Sequence, residues 1–245
     1  MLLLIDYNMR AVIKLDTKID KDEALALLDR YADFIDKHTG IKCQFYVERH
    51  DYSYVPTTPD DKGDLKPTFA YRQAMAKEVH DRYGDYGTDH IVMWVHDDNF
   101  LFRGVWGTAW ASSHFKYMFE LARWDKRNDT NTFNTLFHEN GGHPLDTLIK
   151  TELGIEIDEL IENHFGLENF DYDRDYVHGG SDEFQYIGRA GYKLDGRMLE
   201  FLAPYLRAAY ASRKAKHEEY TKSLMKQVIS LLRKKITLLL TRKDK

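Results

Sequence analysis

The chain of 245 residues is 43% hydrophobic and 31% charged, a composition typical of a globular protein rather than a disordered one. Its length allows one substantial hydrophobic core, or a catalytic body with an appended helix. The net charge of −5 provides no overall attraction to nucleic acid, so we expect no nucleic-acid partner.

The single cysteine, Cys43, excludes an intramolecular disulfide and a zinc site built from thiolates. We expect it to be a small buried residue in a strand. The first residues, MLLLIDYNMR, lack the basic head and long apolar stretch of a signal peptide, and no window has the length of a membrane span. The prediction is a soluble protein without a membrane span, cytoplasmic by default.

The first half of the chain alternates strands with helices. Met9–Asp16 alternates in part and predicts a strand, and the helical pattern that follows ends at Gly40. Ile41–Val55 predicts a long second strand. The sequence TTPDDKGDLKP, residues 57–67, is typical of a polar loop.

A second predicted helix covers residues 68–85 and leads to the apolar run His90–Asp97, which predicts a buried strand. Gly104–Ser113 predicts a short strand at a sheet edge. The next helix is expected to begin between Thr130 and Asn134. This order predicts an α+β fold: a mixed, twisted sheet with helices packed on it.

No strand is predicted after Pro144, so the second half is expected to be mostly helical. We predict three segments: a sheet-containing subdomain over residues 1–143, a helical subdomain over 144–212 and a basic amphipathic helix over 213–245. Three interpretations of the last segment stay open: packing on its own body, an exposed partner-binding or coiled-coil helix for self-association, and a helix on a membrane surface.

The segment NTLFHENGGHPLDTLI, residues 134–149, carries the strongest chemical signal. His138 and Glu139 are adjacent, and His143 follows. Zinc-dependent hydrolysis needs three protein ligands, an open position for water and a carboxylate that takes the proton of that water. His138 and His143 supply two imidazoles, and Glu139 supplies the carboxylate, as in the H-E-x-x-H motif.

The spacing departs from that motif, because the histidines are five residues apart instead of four. Residues five apart are turned by about 140° on a regular helix, against about 40° for residues four apart. Both imidazoles therefore bind one ion only if the helix widens locally, as in a π-bulge. Asn140, Gly141 and Gly142 are weak helix formers and tolerate such a turn.

A structural interpretation of the same residues is that the two histidines flank a helix end and Glu139 is solvated. The flanking sequences favour the metal site. Apolar residues precede and follow the motif, and Asp146 is placed to accept a hydrogen bond from a ligand histidine.

The segment FHENGGHPLDTLI resembles the active-site helix of the zincin metallopeptidases, and the H-E-x-x-x-H spacing is similar to that of the dipeptidyl peptidase III family, a gluzincin group. The upstream order resembles the zincin N-terminal half, in which an edge strand precedes the motif helix and binds substrate. On that resemblance GVWGTAWA, residues 104–111, is the edge strand.

Gluzincins take a third ligand from a glutamate on a later helix. EFLAPYLRAAY, residues 200–210, resembles the helix of the anthrax lethal factor catalytic family that carries this glutamate. The resemblance implies that Glu200 is the third zinc ligand and that Tyr192 donates a hydrogen bond in the transition state. Pro204 stands where that family has a second acidic residue.

Other residues compete for these roles. His178, before two glycines, is an alternative third ligand or a donor to the oxyanion. Glu159, Glu162 and His164 are weaker alternatives as ligands, and Glu200 and Tyr192 are equally compatible with structural roles.

The sequence thus predicts a metallopeptidase with one Zn²⁺ per chain and a peptide or protein substrate. The alternative is a zincin-fold binding or structural protein of phage or mobile-element origin, with a weak or inactive site. A metal enzyme that acts on a non-peptide bond uses the same residues.

Overall fold

The computed structural model describes residues 8–59, 63, 65–84, 90–96, 107–111, 118–124, 143–156, 159–160, 163–164, 186–187, 193–194 and 196–241. Its strands are β1 (Asn8–Asp16), β2 (Lys42–His50), β3 (Thr57–Pro59), β4 (Leu65–Pro67), β5 (His90–His96), β6 (Gly107–Ala111), β7 (Met118–Trp124), β8 (Tyr186–Ile187) and β9 (Lys193–Leu194). Its longer helices are α1 (Lys21–Thr39), α2 (Phe69–Tyr83), α3 (His143–Leu153) and α4 (Gly196–Thr241).

The main sheet has five strands in the order β2-β1-β5-β7-β6. The pairs β1–β2, β1–β5 and β5–β7 are parallel, whereas β6 pairs antiparallel with β7 at one edge. The predicted mixed sheet with helices is confirmed, as is the edge position of the strand within Gly104–Ser113.

Helix α1 forms where the sequence predicts it because both of its ends are capped. The side chain of Asp20 accepts hydrogen bonds from the backbone N–H groups of Asp22 and Glu23, which have no partner inside the helix. At the other end Gly40 has φ +70°, the left-handed conformation that glycine adopts without strain. The residues of one helical face are buried: Ala24, Leu27, Leu28, Tyr31 and Ile35.

Helices cover both faces of the sheet. Side chains alternate along β1, so that Ala11, Ile13 and Leu15 join a core with α1, α3 and α4, whereas Val12 packs toward α2. Every residue of β5 from His90 to Val95 is buried, as its apolar sequence predicts. Because residues before and after position 143 contribute to the first core, the first two predicted segments share one hydrophobic core.

Several elements differ from the sequence prediction. The second strand ends at His50 instead of reaching Val55, and the predicted polar loop contains the antiparallel pair β3–β4. Strand β7 was not predicted, and the second half contains the two-residue strands β8 and β9. The expected start of a helix between Thr130 and Asn134 lies outside the described residues.

Helix α4 runs continuously through Pro204 and through position 213, where a separate helix was predicted. Its inner segment, residues 196–212, buries Leu199, Leu202 and Leu206 in the core. In its outer segment, residues 213–241, every residue from 214 to 233 whose side chain is described is exposed. The outer segment is therefore largely exposed to solvent over this range, and Lys216 at its start forms an ion pair with Glu152 of α3. None of the helices in the described residues is long and apolar enough to cross a membrane.

Candidate metal centre

The motif segment, residues 134–149, follows β7 along the chain, and its last seven residues belong to α3. His138 and Glu139 are outside the described residues, and so are Tyr192 and His178. His143 is the first residue of α3. Pro144 follows in the first turn of this helix, where its missing N–H is not needed by the hydrogen-bond ladder.

Helix α3 packs along the inner segment of α4. Its last turn is fixed by Glu152, which accepts hydrogen bonds from Ser212 (3.1 Å) and Lys216 (2.7 Å). Leu148 and Ile149, one turn earlier, share the core with the part of α4 before Ser212.

Glu200 is described in full, and it is hydrogen-bonded to a residue that sequence reasoning did not single out. Its Oε1 is 2.9 Å from Nδ1 of His38, in the last turn of α1. A carboxylate only accepts, so Nδ1 carries the proton. The imidazole is buried, with 3% of its side chain exposed, whereas 58% of the Glu200 side chain is exposed. Among the described residues, Nε2 of His38 is buried without a hydrogen-bond partner.

Glu200 and α3 contact different faces of α4. Ser212 is twelve residues after Glu200, which corresponds to a rotation of about 120° around the helix. Glu200 instead faces α1, where Arg207 also donates a hydrogen bond to the carbonyl of Thr39 (2.7 Å).

The local backbone at Glu200 is modified by Pro204. In a regular helix the backbone N–H of residue 204 would donate a hydrogen bond to the carbonyl of Glu200. Proline has no N–H, so this hydrogen bond is missing. The neighbours Leu199 and Leu202 are buried, as the apolar spacing predicts. Sequence and structure therefore agree that this part of α4 is anchored in the core while Glu200 remains accessible.

His164, a weak alternative ligand, is described and contacts α4. Its ring stacks on Phe201 with the ring centroids 3.9 Å apart and an interplanar angle of 19°. Across the residues that the structure describes, no three His, Cys, Asp or Glu side chains form a group suited to a metal ion. That set does not include the side chains of His138, Glu139, His143 and His178.

A second polar cluster lies on the opposite face of the sheet, against α2. Lys14 is 3% exposed and donates to Glu48 Oε2 (2.6 Å) and Glu78 Oε1 (2.9 Å). Glu48 also accepts from Arg82 and from the hydroxyl of Tyr83. Burial acts to raise the pKa of Glu48, but the hydrogen bonds from Lys14 and Tyr83 outweigh it and hold that pKa below its usual value. The charges compensate one another, which is typical of a structural cluster.

At the carboxyl ends of β1 and β2, where open sheets of this type bind ligands, described polar side chains make internal contacts. Asp16, at the end of β1, accepts from the backbone N–H groups of Lys18 (3.0 Å) and His96 (3.1 Å). His50 Nε2 lies 2.6 Å from the hydroxyl of Tyr71. Burial lowers the pKa of His50, and the Lys14 ammonium lowers it further.

Sequence reasoning missed His38 and Lys14 for different reasons. His38 is the next member of the buried face of α1 after Tyr31 and Ile35, so the helical spacing was available as a signal. Lys14 lies on the face of β1 that carries Val12, opposite Glu48 in the parallel register. Only the pairing of β1 with β2 brings Lys14 and the carboxylate of Glu48 together.

Comparison with protein-family models, curated proteins and solved structures finds no match to this chain.

Proposed function

We propose that this protein is a zinc-dependent metallopeptidase in which His138 and His143 are ligands and Glu139 is the general base. The observation that supports this function best is the position of β6. It is an antiparallel edge strand, and it directly precedes β7, after which the chain enters the motif. This is the arrangement that the zincin resemblance implies.

An edge strand is suited to a peptide substrate. Among the described strands, β6 is paired on one side only, with β7. The unpaired backbone N–H and C=O groups of such a strand bind an extended peptide as one more strand. A substrate held in this way lies parallel or antiparallel to β6. This strand is close in sequence to the motif that would cleave the substrate.

The proposed chemistry assigns each step of proton transfer to a residue of this chain. Zinc, when bound, supplies a Lewis acid for the scissile carbonyl and for a water molecule. Glu139 takes the proton of that water and passes it to the leaving amine. Tyr192 or His178 donates a hydrogen bond to the oxygen on which negative charge develops.

The identity of the third ligand remains part of the proposal. Glu200 faces α1 and is hydrogen-bonded through Oε1 to His38. In the proposed site, Glu200 binds zinc through its second carboxylate oxygen. His178 is the alternative ligand.

The first experiment compares metal content and peptide hydrolysis in matched variants. Wild-type protein is expected to hold about one zinc per chain and to cleave members of a fluorogenic peptide library. Glu139→Gln is expected to keep the metal and lose turnover, whereas the control Glu219→Gln, on the exposed outer segment, keeps both. Activity of Glu139→Gln equal to that of the wild type would contradict the mechanism.

The second experiment identifies the ligands. His138→Ala and His143→Ala are each expected to lose zinc. Glu200→Gln and His178→Ala then separate the two candidates, because only loss of the true third ligand weakens zinc binding by orders of magnitude. His38→Gln is the control for Glu200: it removes the partner of Glu200 without removing the carboxylate.

The alternative function is a binding or structural protein with a weak or empty site. The exposed apolar residues of the outer segment favour a binding role of some kind. Metal analysis separates the two functions, because a wild-type protein that holds no zinc after supplementation fits only the alternative.

A further inference from the structure

The outer segment of α4 exposes a row of large apolar side chains. Their exposed fractions lie between 43% and 65%: Tyr220, Leu224, Met225, Val228, Ile229, Leu231 and Leu232. We call these residues the outer apolar face. Outside this segment, the large hydrophobic residues exposed in the described part of the chain are Tyr54 and Phe69. Exposed apolar patches of this kind mark sites that contact a partner.

The outer apolar face occupies one side of the helix. At about 100° per residue, its members fall within about 180° of the helix circumference. Lys222, Lys226 and Arg233 fall within about 40° of one another, next to one border of this face. Ser223 and Ser230 lie on the side opposite the apolar residues. The outer segment is therefore amphipathic, with an apolar side and a basic side.

The charge of this segment differs from that of the rest of the chain. Residues 213–245 contain eleven Lys and Arg against three Asp and Glu, a net charge of +8. Since the whole chain has −5, residues 1–212 carry −13. From Tyr220 to Lys243 there are seven basic residues and no acidic one. An anionic partner therefore complements the charge of this segment.

A second copy of the chain fits this surface poorly. Two outer segments that paired through their apolar faces would bring Lys222, Lys226 and Arg233 of one copy close to the same residues of the other. The acidic body of a second copy has the required charge, but the large apolar side chains that its described residues expose outside the outer segment are Tyr54 and Phe69. A second copy therefore does not offer the outer segment a surface that is both anionic and apolar.

We propose that the outer segment of α4 docks on the surface of an anionic lipid bilayer. An amphipathic helix with Lys and Arg on its polar side lies in the plane of the headgroups, with its apolar side against the acyl chains. Anionic headgroups attract the basic residues, and this attraction adds to burial of the apolar face. Residues 220–241 form about 33 Å of helix, which lies along the surface and does not cross it.

The experiment uses the full chain and vesicle flotation at about 0.1 M salt. Vesicles of phosphatidylcholine alone are compared with vesicles that contain about 30% phosphatidylglycerol. We expect at least about tenfold stronger binding to the anionic vesicles. Ile229→Gln/Leu232→Gln should remove most of the binding, whereas Ser223→Gln/Ser230→Gln, on the polar side of the same helix, should keep it.

Two double variants that change charge test the electrostatic attraction to the headgroups. Lys222→Glu/Lys226→Glu should reduce binding to anionic vesicles at least about tenfold, and the control Lys18→Glu/Lys21→Glu makes the same change of charge at exposed positions of the body. Circular dichroism checks that each variant keeps its helix content.

Absence of binding to anionic vesicles overturns the proposal. A dimer by light scattering that Ile229→Gln/Leu232→Gln dissociates, without vesicle binding, would assign the surface to a second copy instead. The metal site is not involved, so this result is independent of peptidase activity.

Discussion

The inner and outer segments of α4 belong to one continuous helix, but they have opposite environments. Leu206 in the inner segment is fully buried between α1 and α3, whereas Leu231 in the outer segment is 65% exposed. Both segments are rich in leucine, and both are helical. Amphipathic spacing therefore predicts a helix in each case, but not what the helix packs against.

The largest expected effect separates the two segments by stability. Leu206→Ala removes a buried side chain from the core and is expected to lower the free energy of unfolding by about 2–5 kcal/mol. Leu231→Ala, its counterpart in the outer segment, should change it by no more than about 0.5 kcal/mol. Denaturant unfolding of both variants measures the difference. Equal losses would mean that the outer segment is buried in the folded protein.

The same contrast holds for ion pairs. Lys14→Met leaves two carboxylates without their buried ammonium partner, so we expect a loss of about 3 kcal/mol. Lys216→Met breaks the pair with Glu152, but 53% of the Lys216 side chain is exposed, and the expected loss is about 1 kcal/mol or less. Chemical denaturation at pH 7 compares the two variants. A small effect of Lys14→Met would show that Arg82 alone compensates Glu48.

The junction between the segments affects the pH dependence of stability. Burial, together with the smaller effect of the nearby Arg213 cation, lowers the pKa of His90 from 6.5 to about 3. Because the folded-state pKa is depressed, the unfolded chain binds the proton first, and stability falls as the pH drops below about 6.5. His90 alone should account for about 2 kcal/mol between pH 7 and pH 5.

The variant His90→Gln tests this assignment. Its unfolding free energy should depend less steeply on pH over this range than that of the wild type. His50, whose pKa is also lowered, provides a residual slope in both proteins. Parallel pH profiles of the wild type and His90→Gln would contradict the buried neutral state of His90.

The smallest expected effect concerns the contact between α1 and the inner segment. Gly40 has φ +70°, and a Cβ at this position would meet the Arg207 guanidinium at 4.0 Å, an ordinary contact. The cost of Gly40→Ala is therefore backbone strain, about 1 kcal/mol. Gly40→Asn should cost less, because asparagine tolerates the left-handed conformation better. A larger loss for Asn than for Ala would point to a side-chain clash instead.

Much of the N-terminal fold was predictable from local signals. The cap of α1 at Asp20, its end at Gly40 and the apolar run of β5 are each encoded within a few residues. Strand β7 was not predicted, because MFELARW, residues 118–124, lacks a clear alternation and becomes a strand through pairing with β5 and β6. The polar sequence around residues 57–67 likewise forms a hairpin only through its own pairing.

The candidate site was predictable only as a motif. The pattern of His138, Glu139 and His143 comes from the sequence alone, and it remains a prediction because those side chains lie outside the described residues. The prediction of Glu200 as a third ligand rested on a family resemblance. Its hydrogen bond to His38 joins residues 162 positions apart, and no local pattern predicts a contact at that separation.

By itself, the sequence determined that α1, α2 and β5 form, where α1 ends, and which end of the chain is basic. These properties depend on interactions between residues close together along the chain. Tertiary structure alone decided that Lys14 meets two glutamates, that Glu200 faces α1, and that one half of α4 is buried and the other exposed. Burial and long-range pairing depend on which surfaces the whole fold brings together, and neighbouring residues do not encode that choice.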